Sequence, residues 1–229
     1  DPRQAEPYYR LALLDEQNKN WKQMFANLTT VEQLDPNHVD AQIKLGRLYL
    51  LGGKLDEATT RADKALSLKP ESFDGRILKA SILAKEQKFD EASTLLAEVS
   101  KDYPEHKDIL SLEILILKDK GDLPAALAKT KQAVEKYPED MSLRLIELSL
   151  YNDMKDFKGM ANVYEDILDR KPDEREVVMS YAKLLVSKLD RYDQALTLLQ
   201  TFLKNHPEDD EAQQFLLGLI NQKNPQEAL

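Results

Sequence analysis

Histidine is the side chain best suited to metal binding and to acid–base work near neutral pH, and the chain has three: His38, His106 and His206. Each stands in a turn-like stretch beside a proline. The first two occupy equivalent places two 34-residue steps apart, too distant to share a metal ion without a ligand between them. Cysteine is absent, which removes thiolate nucleophiles, disulfides and cysteine-ligated zinc together. Ser81 and Ser149 have no histidine in reach on their own helices, so no nucleophile–base pair can be drawn. The seven glycines form no phosphate loop, and Gly52-Gly53 reads as a turn between helices. Carboxylates are plentiful, yet an acid–base pair needs a pocket that splits their pKa values, and solvated helix faces rarely supply one. Trp21, the only tryptophan, is expected to pack in the core. These residues predict no catalytic centre, no cofactor and no metal.

What the spacing organises is architecture. A proline returns every 34 residues, at Pro2, Pro36, Pro70, Pro104, Pro138 and Pro172, then at Pro207 after one 35-residue step. Five residues before the prolines from Pro36 onward stand Val31, Ala65, Val99, Ala133, Ile167 and Phe202. Twelve before stand Met24, Ala58, Ala92, Ala126, Met160 and Ala195, and fifteen before stand Trp21, Leu55, Phe89, Leu123, Phe157 and Tyr192. These offsets share one helical face, with small residues where another helix approaches. An earlier segment has its own helical spacing, seen in Leu11-Ala12 and in Leu45, Gly46 and Tyr49. Short turns such as Lys19-Asn20 and Gly52-Gly53 separate the two segments. Each unit is therefore helix, turn, helix, closed by its proline, and Asp40, Asp74, Asp108, Glu176 and Glu211 open the next helix at its positive end. The one extra residue before Pro207 is expected to lengthen the turn around Ser187 to Arg191.

With 42% hydrophobic and 32% charged residues, the chain can build a continuous core under a well-solvated surface. A formal net charge of −9 argues against a nucleic-acid partner and against an anionic membrane surface. The apolar run Phe215 to Ile220 is too short to insert across a bilayer.

The unit resembles the tetratricopeptide repeat (TPR), a 34-residue pattern of Leu-Gly, Tyr, Ala, Phe and Pro at fixed offsets. Leu45-Gly46, Tyr49, Leu55, Ala58, Ala65 and Pro70 carry it most completely. The resemblance implies an all-α fold, a right-handed α-solenoid superhelix of antiparallel helix pairs in one array. Residues 1–2 end a preceding repeat, repeats one to six span 3–36, 37–70, 71–104, 105–138, 139–172 and 173–207, and 208–229 form a partial seventh. Both termini fall inside the repeat frame, as in a segment of a longer array, with Asn224 to Leu229 reading as a second helix cut short.

In this family the first helices line a concave groove and the second helices form the convex back. That mapping places Tyr9, Ile43, Arg47, Ile77, Leu78, Leu112, Leu115, Leu145, Ile146 and Met179 on the groove. Its centre is apolar, and two roles are open to these residues: partner contact, or packing between adjacent first helices. No pair among Tyr9 with Leu13, Ile43 with Arg47, or Ile77 with Ser81 reproduces the Lys and Asn clamp of chaperone-binding members. Where Leu11 and Leu45 fit the pattern, Lys79, Glu113 and Glu147 replace leucine, with Arg76 and Arg144 one turn away. This mid-array charged strip is either a structural ion-pair row, with Lys79 facing Glu113, or a polar recognition site.

The resemblance implies a non-catalytic scaffold holding a partner protein or an amphipathic peptide in the groove. The alternatives are self-assembly through the repeat ends and a non-catalytic arm of a larger enzyme. Leu34-Asp35-Pro36-Asn37-His38-Val39, followed by Leu45-Gly46-Arg47-Leu48-Tyr49, resembles bacterial TPR proteins of the Gram-negative envelope. Such proteins include lipid-anchored members and components of exopolysaccharide export or pilus assembly. A periplasmic or envelope-associated location follows from that resemblance, with the cytoplasm as the alternative.

Overall fold

A computed structural model describes residues 2–223, and among them lie thirteen α-helices and no strand, an all-α repeat fold. The helices come in pairs. They are α1 (Pro2–Gln17) with α2 (Trp21–Leu34), α3 (Val39–Leu51) with α4 (Leu55–Leu68), and α5 (Phe73–Lys85) with α6 (Phe89–Asp102). The series continues with α7 (Lys107–Asp119) and α8 (Leu123–Lys136), α9 (Met141–Asp153) and α10 (Phe157–Arg170), then α11 (Arg175–Lys188) and α12 (Tyr192–Asn205). Helix α13 (Asp210–Lys223) closes it. The preceding-repeat reading of Asp1 and the second-helix start expected over 224–229 lie outside the described residues.

Every turn inside a pair has three residues, and the middle one is left-handed: Lys19 (φ 56°), Gly53 (72°), Gln87 (62°), Gly121 (82°), Lys155 (56°) and Asp190 (55°). The residue after it returns its amide to the first helix, as Lys54 N–H donates to Tyr49 O at 2.9 Å and Asp156 N–H to Tyr151 O at 2.9 Å. Glycine takes this conformation without steric cost, whereas a side chain there costs about 1–2 kcal/mol. The extra residue of the sixth repeat does not lengthen its turn, contrary to the sequence expectation. Helix α11 absorbs it, with 14 residues against 13 in α9, and Arg191 N–H reaches back to Leu185 O at 2.9 Å. One more residue inside the closing hydrogen-bonded ring leaves the three-residue turn intact.

Four-residue links join the pairs, with proline second in each. Proline disfavours helix at the residue before it, so each second helix stops two residues short of it. In all the links but the one ending at Glu174, the last residue caps the next helix with its side chain: His38 Nδ1 accepts from Ala41 N–H at 3.3 Å, Ser72 Oγ from Gly75 N–H at 3.2 Å and His106 Nδ1 from Asp108 N–H at 3.3 Å. Asp140 and Asp209 do the same at 2.9 and 3.0 Å. His38 and His106 are thus side-chain N-caps, and His206 is the C-cap of α12, its amide donating to Phe202 O at 3.1 Å.

The chain divides into two compact units, one carrying α1–α7 up to Gly121 and one carrying α8–α13 from Asp122. In the first, Ala12, Met24, Leu28, Val31, Ala41 and Leu45 form one buried cluster, with others around Ala58, Ala62 and Ala65 and around Ala92, Leu96 and Val99. In the second, Leu148, Tyr151, Val163 and Ile167 form one, and Ala182, Leu185, Ala195, Leu199 and Phe202 anchor another. Two expected core residues are exposed: Trp21, at 50%, and Leu11. Both belong to the first pair, and no helix precedes α1 among the described residues to cover their face.

Candidate partner-binding cleft

The first helices of the first unit enclose an open cleft of ≈ 330 Å³, lined by Tyr9 and Leu13 of α1, Asp40, Ile43, Lys44 and Arg47 of α3, and Asp74 of α5. Helical spacing brings them there: Asp40, Ile43, Lys44 and Arg47 are three and four residues apart on one face of α3. Lys44 Nζ donates to Glu16 at 2.6 Å, and the Arg47 guanidinium pairs with Asp74. Tyr9 stands against the His38 ring with centroids 4.5 Å apart. Burial, reinforced by Asp40, Glu16, Glu6 and Asp74, pushes its phenol up to about 12. The cleft therefore combines an aromatic ring, an apolar floor and charged rims, and offers shape and polarity for a peptide-sized ligand.

The sequence-predicted groove residues separate into two groups. Tyr9, Ile43 and Arg47 meet in this cleft, Ile43 as its nearly closed floor. Ile77, Leu78, Leu112 and Met179 are buried, as Ile43 is, but do not line this cleft, so of the two roles open to them they take packing between helices, which removes these four from the predicted groove. Their flank of the first helix faces neighbouring helices, so apolar types there signal packing; Ile77 and Leu112, for example, share one core cluster. Leu115 on α7 and Leu145 on α9 are exposed at 44% and 59%, and Ile146 is half-buried.

Lys79 does not pair with Glu113 in the charged strip. Its ammonium meets Asp63 of α4 at 2.7 Å, and Arg76 lies 3.5 Å from Asp102 of α6, so these charges tie first helices to second helices. Glu113 is half-buried on α7. In the second unit Glu147 is 5% exposed, 3.2 Å from Arg144, whose other nitrogen pairs with Asp166 of α10. Arg170 extends that network to Asp166 and Glu139, at 3.7 Å each.

Sequence reasoning places Lys44 at a groove position, 26 residues before its proline, but passes over Asp40 and Asp74 as cleft residues. Their signal was available, since Asp40 and Asp74 recur at one register position and Lys44 lies one helical turn from Asp40. A family model described as "Tetratricopeptide repeat" matches residues 53–113, and a second with the same description matches 179–209. The chain carries tetratricopeptide repeats in these two stretches. Solved TPR structures share its fold. TTC0263, a thermophilic TPR protein of Thermus thermophilus, aligns at TM-score 0.67 and 16% identity over 80% of this chain and 99% of that one. PilW, a type IV pilus biogenesis factor, aligns at 0.68 and 16% over 93% and 98%. PilF of Pseudomonas aeruginosa aligns at 0.62 and 18% over 95% and 99%. No curated protein sequence matches. TPR folds generally serve as non-catalytic scaffolds. Among the described residues of this chain, no three His, Asp or Glu side chains converge as metal ligands, and no helix is long and apolar enough to cross a membrane.

Proposed function

We propose that this chain is a non-catalytic scaffold that holds a partner protein or amphipathic peptide against its first helices. The cleft of Tyr9, Leu13, Asp40, Ile43, Lys44, Arg47 and Asp74 carries this reading, because it pairs an apolar floor with oriented polar groups on the helices this repeat uses for contact. Exposed Leu115 and Leu145 add apolar first-helix surface in each unit. The test is capture of a partner from the native host by the wild-type chain and by a Tyr9→Ala, Leu115→Glu, Leu145→Glu variant. Loss of the partner with an unchanged circular dichroism spectrum supports the reading. Full recovery on the folded variant moves binding to the convex side.

Within this reading we place the partner in a cell-envelope assembly. Support comes from the Leu34–Tyr49 resemblance to Gram-negative envelope members and from end-to-end fold similarity to PilW and PilF. Fractionation of host cells expressing the whole gene tests it, and a purely cytosolic product would overturn it. A second reading, self-assembly, is favoured by the exposed apolar face of the first pair: Tyr8, Leu11, Leu14, Trp21 and Phe25. Sedimentation over a hundredfold concentration range decides it, since a monomer throughout excludes self-assembly.

A further inference from the structure

The two cations that line the cleft are both committed inside the first unit, Lys44 to Glu16 and Arg47 to Asp74. Asp40, on the same wall and in the first turn of α3, makes no ion pair among the described residues. Beside it, Tyr9 offers an aromatic face and a hydroxyl, and Leu13 and Ile43 offer an apolar surface. Asp40, Asp74 and Glu16 set three carboxylates against the two cations Lys44 and Arg47, so the balance of charge at the cleft is negative. A negative field, an aromatic face and an aliphatic floor together match a long cationic side chain, whose stem needs apolar contact and whose head needs a carboxylate or a π face.

Resting on the groove-binding reading above, we propose that the cleft selects a lysine or arginine side chain of the bound segment, its charged head between the Asp40 carboxylate and the Tyr9 ring. The stem lies along Leu13 over Ile43. A glutamate at the same place in the partner meets the like charge of Asp40 and is rejected, which gives the groove a sign preference as well as a shape preference.

Three acetylated, amidated hexapeptides of sequence Ala-Leu-Ala-X-Leu-Ala, with X as Lys, Gln or Glu, titrated into the ¹⁵N-labelled chain test this. The expected result is amide shifts centred on Leu13, Ile43 and Arg47, with the Lys peptide bound about fivefold more tightly than the Gln peptide, the effect of one partly exposed charge pair. The Glu peptide is expected to bind most weakly. Asp40→Asn should abolish the Lys-over-Gln preference. Asp108→Asn, at the same register position outside the cleft, should keep it. Equal binding of all three peptides in the cleft overturns cation selection and leaves the groove reading standing. Shifts centred elsewhere, or none with any peptide, overturn both.

Discussion

Glu147 occupies a position where Leu45 of an earlier repeat is buried in a wholly apolar setting. A carboxylate can remain at such depth because Arg144 meets it and Asp166 holds Arg144 from the other side. Deleting the carboxylate leaves the guanidinium with one partner instead of two and opens a small void. Glu147→Ala is therefore expected to destabilise the chain by about 2 kcal/mol, less than the full loss of a buried pair because Asp166 remains. Urea unfolding measures it, and an unchanged midpoint would mean the pair contributes nothing. Strain at single residues gives the opposite sign. Gln87 sits at φ 62° where the equivalent Gly53 sits at 72°. Gln87→Gly relieves the Cβ clash at the cost of chain entropy, and the balance predicts a gain of about 0.5–1 kcal/mol in the same measurement.

Helices are joined end to end by charge as well as by packing. Arg175 at the start of α11 bonds to Asp209, the cap of α13, at 2.6 Å and to Glu211 in its first turn at 2.7 Å. These bonds hold both carboxyls below the usual carboxylate range. Groups with depressed native pKa values stabilise the fold above their unfolded pKa and lose that contribution as pH falls through the native value. The melting temperature should thus fall as pH drops from about 5 towards 3. Arg175→Met should flatten that slope by lowering stability at neutral pH, and an identical slope in the variant would count against the linkage. The helices themselves were legible beforehand. The prolines fixed where second helices stop, and the small or apolar residues five places earlier, such as Ala65 and Val99, are all buried. Much of the surface was not legible. Ile77 and Leu78 have the residue types of a binding patch, but their exposure depends on how neighbouring first helices cross, which no single-helix pattern contains. His38 and His106 read as idle loop residues because histidine seldom caps helices, although their place two residues after each proline was in view. Asp40 and Asp74 were hidden by their ordinariness: a charge on a helix face takes on meaning only when a cleft forms beside it.

Within each unit, packing follows chain order. Within the first unit α3 packs against α4 and α5, and within the second α10 packs against α9 and α11. When each element touches only those one or two places away, stability is a sum of local terms and nearest-neighbour terms, and damage stays near its origin. Gly159 offers a clean place to inflict it. The α10 backbone passes so close to α9 that a Cβ at this glycine would run into the Tyr151 ring, which is itself buried. Gly159→Ala must push that ring aside, an overpacking cost of about 1–3 kcal/mol that outweighs alanine's better helix propensity. Native-state hydrogen exchange should then show faster exchange in α9, α10 and α11, while the amides of α3 and α4 keep their wild-type rates. Equal acceleration in all five helices would show that the chain opens as one cooperative block and that the nearest-neighbour description fails for it.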